Sequence, residues 1–104
     1  MTSYHIFFTP KPDVADVVVV ATAREFFEEL KSAGKLGGYR ILHITAQAKF
    51  PELLRYQAIA DFESQAALDA AFAFLRQPGK IHEGAHGRLI EQVAEFKVSF
   101  TTDV

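Results

Sequence analysis

Tyr39-Arg40-Ile41-Leu42-His43-Ile44-Thr45-Ala46-Gln47-Ala48 is followed by Lys49-Phe50-Pro51-Glu52 and then by Leu53-Leu54-Arg55-Tyr56-Gln57-Ala58-Ile59-Ala60-Asp61-Phe62. The two longer runs carry aromatic and β-branched side chains and read as strands. The four-residue link suits a hairpin, and Pro51 has no N–H to give to a ladder. A hairpin at the middle of the chain leaves two flanks to be read.

Upstream, residues 3 to 9 (Ser-Tyr-His-Ile-Phe-Phe-Thr) read as a strand that Pro10 and Pro12 end. Asp13 or Asp16 is placed to cap the helix that follows. Through that helix Val19, Val20, Ala23, Phe26, Phe27 and Leu30 recur at three- and four-residue steps, which makes one apolar stripe. Arg24, Glu25, Glu28, Glu29 and Lys31 make its solvated side. Gly34 and the pair Gly37-Gly38 stop it. Downstream, Ser64 stands at an N-cap, and Leu68, Ala71, Phe72 and Leu75 follow at helical spacing until Pro78-Gly79. Residues 80 to 92 read as an extra short helix weakened by Gly84 and Gly87. Val93 to Thr101 alternates and is the last strand. The order is β-α-β-β-α-β, an α+β class with an antiparallel four-stranded sheet.

The chain has 104 residues, with 49% apolar and 23% charged. That length suits a single domain, 1–104, able to bury roughly two-thirds of its unfolded surface. The net charge of −2 comes from interleaved acids and bases, with no basic stripe. This argues against nucleic acid and against an anionic membrane surface. The absence of Cys excludes a disulfide scaffold, a thiolate nucleophile and a Cys-held metal. Met1-Thr2-Ser3-Tyr4-His5 does not read as a secretory leader, and the apolar run Val17 to Ala21 is too short to span a bilayer. A cytoplasmic protein is the expectation.

Alternation assigns faces to the strands. The first strand admits either parity, which decides whether His5 lines the pocket, and Tyr4, Ile6 and Phe8 are the choice for its helix side. Leu42, Ile44, Ala46 and Ala48, then Leu54, Tyr56, Ala58, Ala60 and Phe62, and finally Ala94, Phe96, Val98 and Phe100 are expected to face the helices. The other face then holds His5, Phe7 and Thr9, then Tyr39, Ile41, His43, Thr45 and Gln47, then Arg55, Gln57, Ile59 and Asp61, and finally Glu95, Lys97 and Ser99. Phe7, Ile41 and Ile59 form an apolar patch within it. Such a patch calls for a second sheet, so a homodimer meeting through its sheet faces is expected. His43, His5, Tyr39, Arg55 and Gln57 are the candidate pocket. A His there is a general base near neutral pH, and Arg or Tyr stabilises an enolate or phenolate. The competing reading is a hydrogen-bonded interface set.

The element order, Gly38-Tyr39-Arg40 at the start of the second strand, and Phe62-Glu63 followed by Leu68-Asp69-Ala70-Ala71-Phe72 resemble the ferredoxin-like dimeric α/β-barrel superfamily, and within it small bacterial members of unknown function. The resemblance spans nearly the whole chain. It implies a dimeric barrel. It also implies a ligand held between sheet and helices or inside the barrel, in a superfamily of cofactor-free monooxygenases, isomerases, haem enzymes and ligand-sensing domains.

His82-Glu83-Gly84-Ala85-His86 matches H-E-x-x-H, which on a helix puts two His on one face for zinc with Glu as base. Gly84 and Gly87 weaken that helix, and no His follows as a third ligand. The motif reads as an amphipathic turn, and no metal or cofactor is assigned; a metal protein through His82 and His86 is a minor alternative. The leading expectation is a small-molecule-binding dimer. It acts either as a cofactor-independent enzyme on an apolar or aromatic metabolite, or as a non-catalytic ligand-sensing or assembly dimer.

Overall fold

A computed structural model describes residues 1–50, 54–77 and 84–104. Its elements are β1 (Thr2–Pro10), α1 (Asp16–Ser32), β2 (Gly38–His43), β3 (Tyr56–Phe62), α2 (Gln65–Leu75), α3 (Gly84–Gln92) and β4 (Val93–Thr102). The strands form an antiparallel sheet in the order β2-β3-β1-β4, so β2 and β4 are its edges. The three helices include the expected extra helix before the last strand.

The helix ends follow from local chemistry. Ser64 caps α2 by accepting from the Ala67 N–H at 3.2 Å. At the end of α1 the Lys35 N–H donates to the Leu30 carbonyl at 2.9 Å and the Gly34 N–H to the Lys31 carbonyl at 3.0 Å. This paired closure needs a left-handed residue, and Gly34 supplies it with φ 72°. The start of α1 departs from expectation. Neither Asp13 nor Asp16 caps it: the N-cap is Ala15, without a side-chain bond, and Asp16 opens the helix. The Asp16 carboxylate is engaged elsewhere, by the Tyr56 hydroxyl at 2.8 Å and the Arg55 guanidinium at 3.4 Å.

The second and third strands in chain order are shorter than expected. Pairing of β2 continues one step past His43, where the Ile44 N–H donates to the Arg55 carbonyl at 2.8 Å. A turn then forms, with the Phe50 N–H on the Gln47 carbonyl and Ala48 at φ 52°. The remainder of the expected hairpin link, Pro51 and Glu52, and the expected start of the third strand at Leu53 lie outside the described residues.

Register settles the faces, because residues directly opposite in a ladder point the same way. Tyr4, Ile6 and Phe8 lie opposite Ala60, Ala58 and Tyr56 on one side and Phe100, Val98 and Phe96 on the other. All face the helices, as expected. β2 has the opposite parity from the one expected. Tyr39, Ile41 and His43 pair with Ala60, Ala58 and Tyr56, so they face the helices, while Arg40 and Leu42 join Ile59 and Gln57 on the open face. The cause lies in α1: the Tyr39 ring stacks on Phe27 at 5.2 Å, and its hydroxyl donates to the Glu28 carboxylate at 2.8 Å. The apolar patch of the open face is therefore Phe7, Leu42 and Ile59, with Leu42 in place of Ile41.

The core lies between the sheet and the helices, mainly α1, with Leu68 and Ala71 of α2 and Ala85 of α3 joining it. Val19, Ala23, Phe26, Phe27 and Leu30 are buried from α1, and Phe8, Ala58, Ala60 and Phe62 from the sheet. Val20 is only half-buried, and Thr22 takes a buried place instead. Thr22 tolerates burial because its hydroxyl donates to the Val18 carbonyl at 3.0 Å.

Candidate functional site

Two small side chains leave room in this core. Ala23 on α1 and Ala58 on β3 stand where larger neighbours would fill the layer, and a cavity of about 240 Å³ opens there between the sheet and all three helices. It exceeds the roughly 150 Å³ of an engineered apolar cavity that takes up benzene. Its walls are apolar, with aromatic rings from Phe8 of the sheet, Phe26 and Phe27 of α1 and Phe72 of α2. Two residues bring polar chemistry to the lining. They are Tyr4 from β1 and His86 from α3.

Aromatic contacts fix both. The Tyr4 ring meets Phe72 edge-on at 5.2 Å and stacks on Phe100 at 5.1 Å. Burial raises the Tyr4 pKa above its ordinary value of 10.0, because an ion there would lose its water. At neutral pH it is a phenol, with an O–H able to donate a hydrogen bond. The His86 ring lies 4.9 Å from that of Phe26. His86 is half-buried in α3, next to the buried Ala85 and one residue before the buried Gly87.

The five residues expected to form a pocket are divided by the sheet. His43 and Tyr39 are on the helix side, where the His43 ring stacks on Tyr56 at 5.0 Å. His5 and Gln57 are on the open face. There the Gln57 amide meets His5 Nδ1 at 3.2 Å, and His5 Nε2 meets the Thr101 hydroxyl at 2.8 Å. The Ser3 hydroxyl donates to Asp61 nearby, at 2.7 Å. Arg55 pairs with Asp16 at the N-terminal end of α1. A carboxylate suits that end, where free N–H groups leave partial positive charge. Of the H-E-x-x-H stretch, His82 and Glu83 lie outside the described residues, and His86 belongs to the cavity wall.

All three tyrosines have raised pKa values. The hydrogen bond to Glu28 is the main cause for Tyr39, that to Asp16 for Tyr56, and burial for Tyr4. A raised folded pKa means that the folded state holds its proton longer than the unfolded state. Its contribution to stability is complete below the unfolded value near 10 and is lost as pH rises through the folded value. Tyrosinate absorption in the native protein is therefore expected to appear only above pH 10, with stability falling over the same range. Asp16→Asn should bring one third of that absorption to lower pH. A native titration at the ordinary value would contradict both hydrogen bonds.

Sequence patterning carried a signal for His86 that the H-E-x-x-H match obscured. His86, Leu89, Ile90 and Val93 are spaced as one inward helical stripe. Tyr4 was placed on the correct side of its strand. That it borders a void depends on how three helices meet, which alternation does not encode.

The chain belongs to a family of unknown function (DUF6614), whose model matches residues 1–103. No curated protein matches it in sequence. Solved structures share its shape at low identity. SnoaB, a cofactor-independent oxygenase from Streptomyces nogalater, is 17% identical with a TM-score of 0.72, over 98% of this chain and 91% of that one. A hydroxynitrile lyase from Passiflora edulis is 10% identical with a TM-score of 0.72, over 96% and 90%. A dimeric ferredoxin-like protein of unknown function from Jannaschia sp. CCS1 is 17% identical with a TM-score of 0.69, over 99% and 100%. Identities this low establish the fold, which is ferredoxin-like. Among the described residues no helix is long and apolar enough to cross a membrane.

Proposed function

We propose that this member of DUF6614 is a homodimer that takes a small apolar or aromatic molecule into the cavity between sheet and helices, with one polar group of that molecule held by Tyr4 and His86. The observation that carries this reading is the cavity itself: about 240 Å³ of apolar space with a phenol and an imidazole in its lining. An unfilled apolar volume of this size costs stability, and an apolar ligand that fills it recovers the lost contacts.

The same pair supports a reaction. The His86 imidazole takes a proton from an acidic C–H or O–H of the ligand, and the oxygen that gains negative charge accepts from the Tyr4 hydroxyl. The charge develops in an apolar space, where such a hydrogen bond counts for more than in water. SnoaB and the Passiflora lyase, both enzymes on this fold, lend support to a catalytic reading. The dimer reading is supported by the dimeric Jannaschia relative and by Phe7, Leu42 and Ile59 on the open face. On that face the His5, Gln57 and Thr101 set serves as interface hydrogen bonding.

Calorimetric titration with 1-naphthol and naphthalene tests the ligand reading. The native protein should favour 1-naphthol by about tenfold, the worth of one net hydrogen bond. Tyr4→Phe combined with His86→Phe should erase the preference and retain naphthalene binding. Uptake of neither compound, or a preference unchanged by the double substitution, contradicts it.

A further inference from the structure

β4 is an edge strand, and the row it turns toward the helix side is Phe96, Val98 and Phe100. These side chains are 59%, 44% and 53% exposed. No charge or proline interrupts this row; the charges of the edge strand, Glu95 and Lys97, stand on its other face. Phe96 and Ile90, the latter 40% exposed, also line the cavity. The cavity therefore reaches the surface at this edge, and the apolar row continues outward from its mouth.

The open sheet face alone makes a small interface. Four strands about 4.8 Å apart, averaging about eight residues at 3.3 Å each, project to roughly 500 Å². A stable interface takes about 800 Å² per partner. The β4 row adjoins that face across a single strand and supplies further apolar area. A net charge of −2 leaves little repulsion between copies.

We infer that a second copy of this chain extends its contact around the β4 edge, covers Phe96, Val98 and Phe100, and closes the mouth of the cavity, so that each ligand site is completed by the partner. This rests on the ligand reading proposed above. It makes ligand affinity depend on protein concentration, because the dissociated chain has an open site.

The chain has no Cys, so Val98→Cys introduces a single thiol on the row, at a residue outside the cavity lining. Maleimide labelling is measured at dilute and concentrated protein, with sedimentation reporting the oligomer and Ala73→Cys, on an exposed position of α2, as control. The Val98→Cys thiol should react at least about tenfold more slowly in the dimer, with the control unchanged. Val98→Glu should give a folded monomer by circular dichroism whose 1-naphthol affinity is at least about tenfold weaker. A thiol that labels equally fast in the dimer, or a native protein that is monomeric at high concentration, overturns the inference. If the dimer protects the thiol and takes up no 1-naphthol, the ligand reading fails and the interface stands. If the native protein binds 1-naphthol and the Val98→Glu monomer binds it equally well, completion by the partner fails and the ligand reading stands.

Discussion

Replacing Phe27 with Ala is expected to remove about 3–5 kcal/mol of folding stability. Phe27 is among the largest fully buried side chains, and its ring joins α1 to the sheet by stacking on Tyr39. It also meets Phe26 at 5.1 Å and borders the cavity. Removing the ring would join new void to void already present, so the site has little means of collapsing around the loss. The cost should fall at the upper end of that range. A domain of this size has about 5–15 kcal/mol in total, so the variant should sit near its unfolding midpoint in low denaturant. Urea unfolding followed by circular dichroism measures this. A loss below about 1 kcal/mol would mean that α1 does not rest on the sheet through this ring.

The second large effect separates the cavity from the fold. Ala23→Met combined with Ala58→Met puts a flexible side chain into the void from each wall, one from α1 and one from β3. Affinity for 1-naphthol should fall at least about a hundredfold. Stability should hold within about 1.5 kcal/mol, because Met adapts to irregular gaps and is a good helix former at position 23. Either single substitution should give part of the loss. Unchanged affinity in a folded double variant would place the ligand elsewhere.

Much of the architecture was legible in the chain. Ser64 ahead of Leu68 and Ala71 marked a helix start, Gly34 marked a stop, and the Phe-rich stripe of α1 named its buried side. The parity of β2 was not legible, for a physical reason. Tyr39-Arg40-Ile41-Leu42-His43-Ile44 has apolar residues on both alternations, so either face fits a core. The decision rests with the Phe27 ring and the Glu28 carboxylate, which capture the two ends of Tyr39 from a distant helix turn. That one reversal moved His43 and Tyr39 across the sheet from His5 and Gln57. Asp16 is a similar case: it reads as a cap, and tertiary partners on Tyr56 and Arg55 take it away.

The cavity depended on still more distant agreement. Ala23 and Ala58 are unremarkable in their own segments, and only the meeting of three helices over the sheet turns their small size into space. His86 was visible first as part of a metal-like pattern, while its spacing with Leu89 and Val93 pointed inward. The two readings differ in what they ask of His86: a partner His on the same helix face, or an apolar wall and a phenol.

The most direct measurement of the central claim is a crystal structure of the protein grown with 1-naphthol. The naphthalene rings should lie among Phe8, Phe26 and Phe72, with the hydroxyl within hydrogen-bond reach of Tyr4 or His86. Naphthol bound on the open face beside His5 and Gln57, with the space between sheet and helices left unfilled, would contradict it.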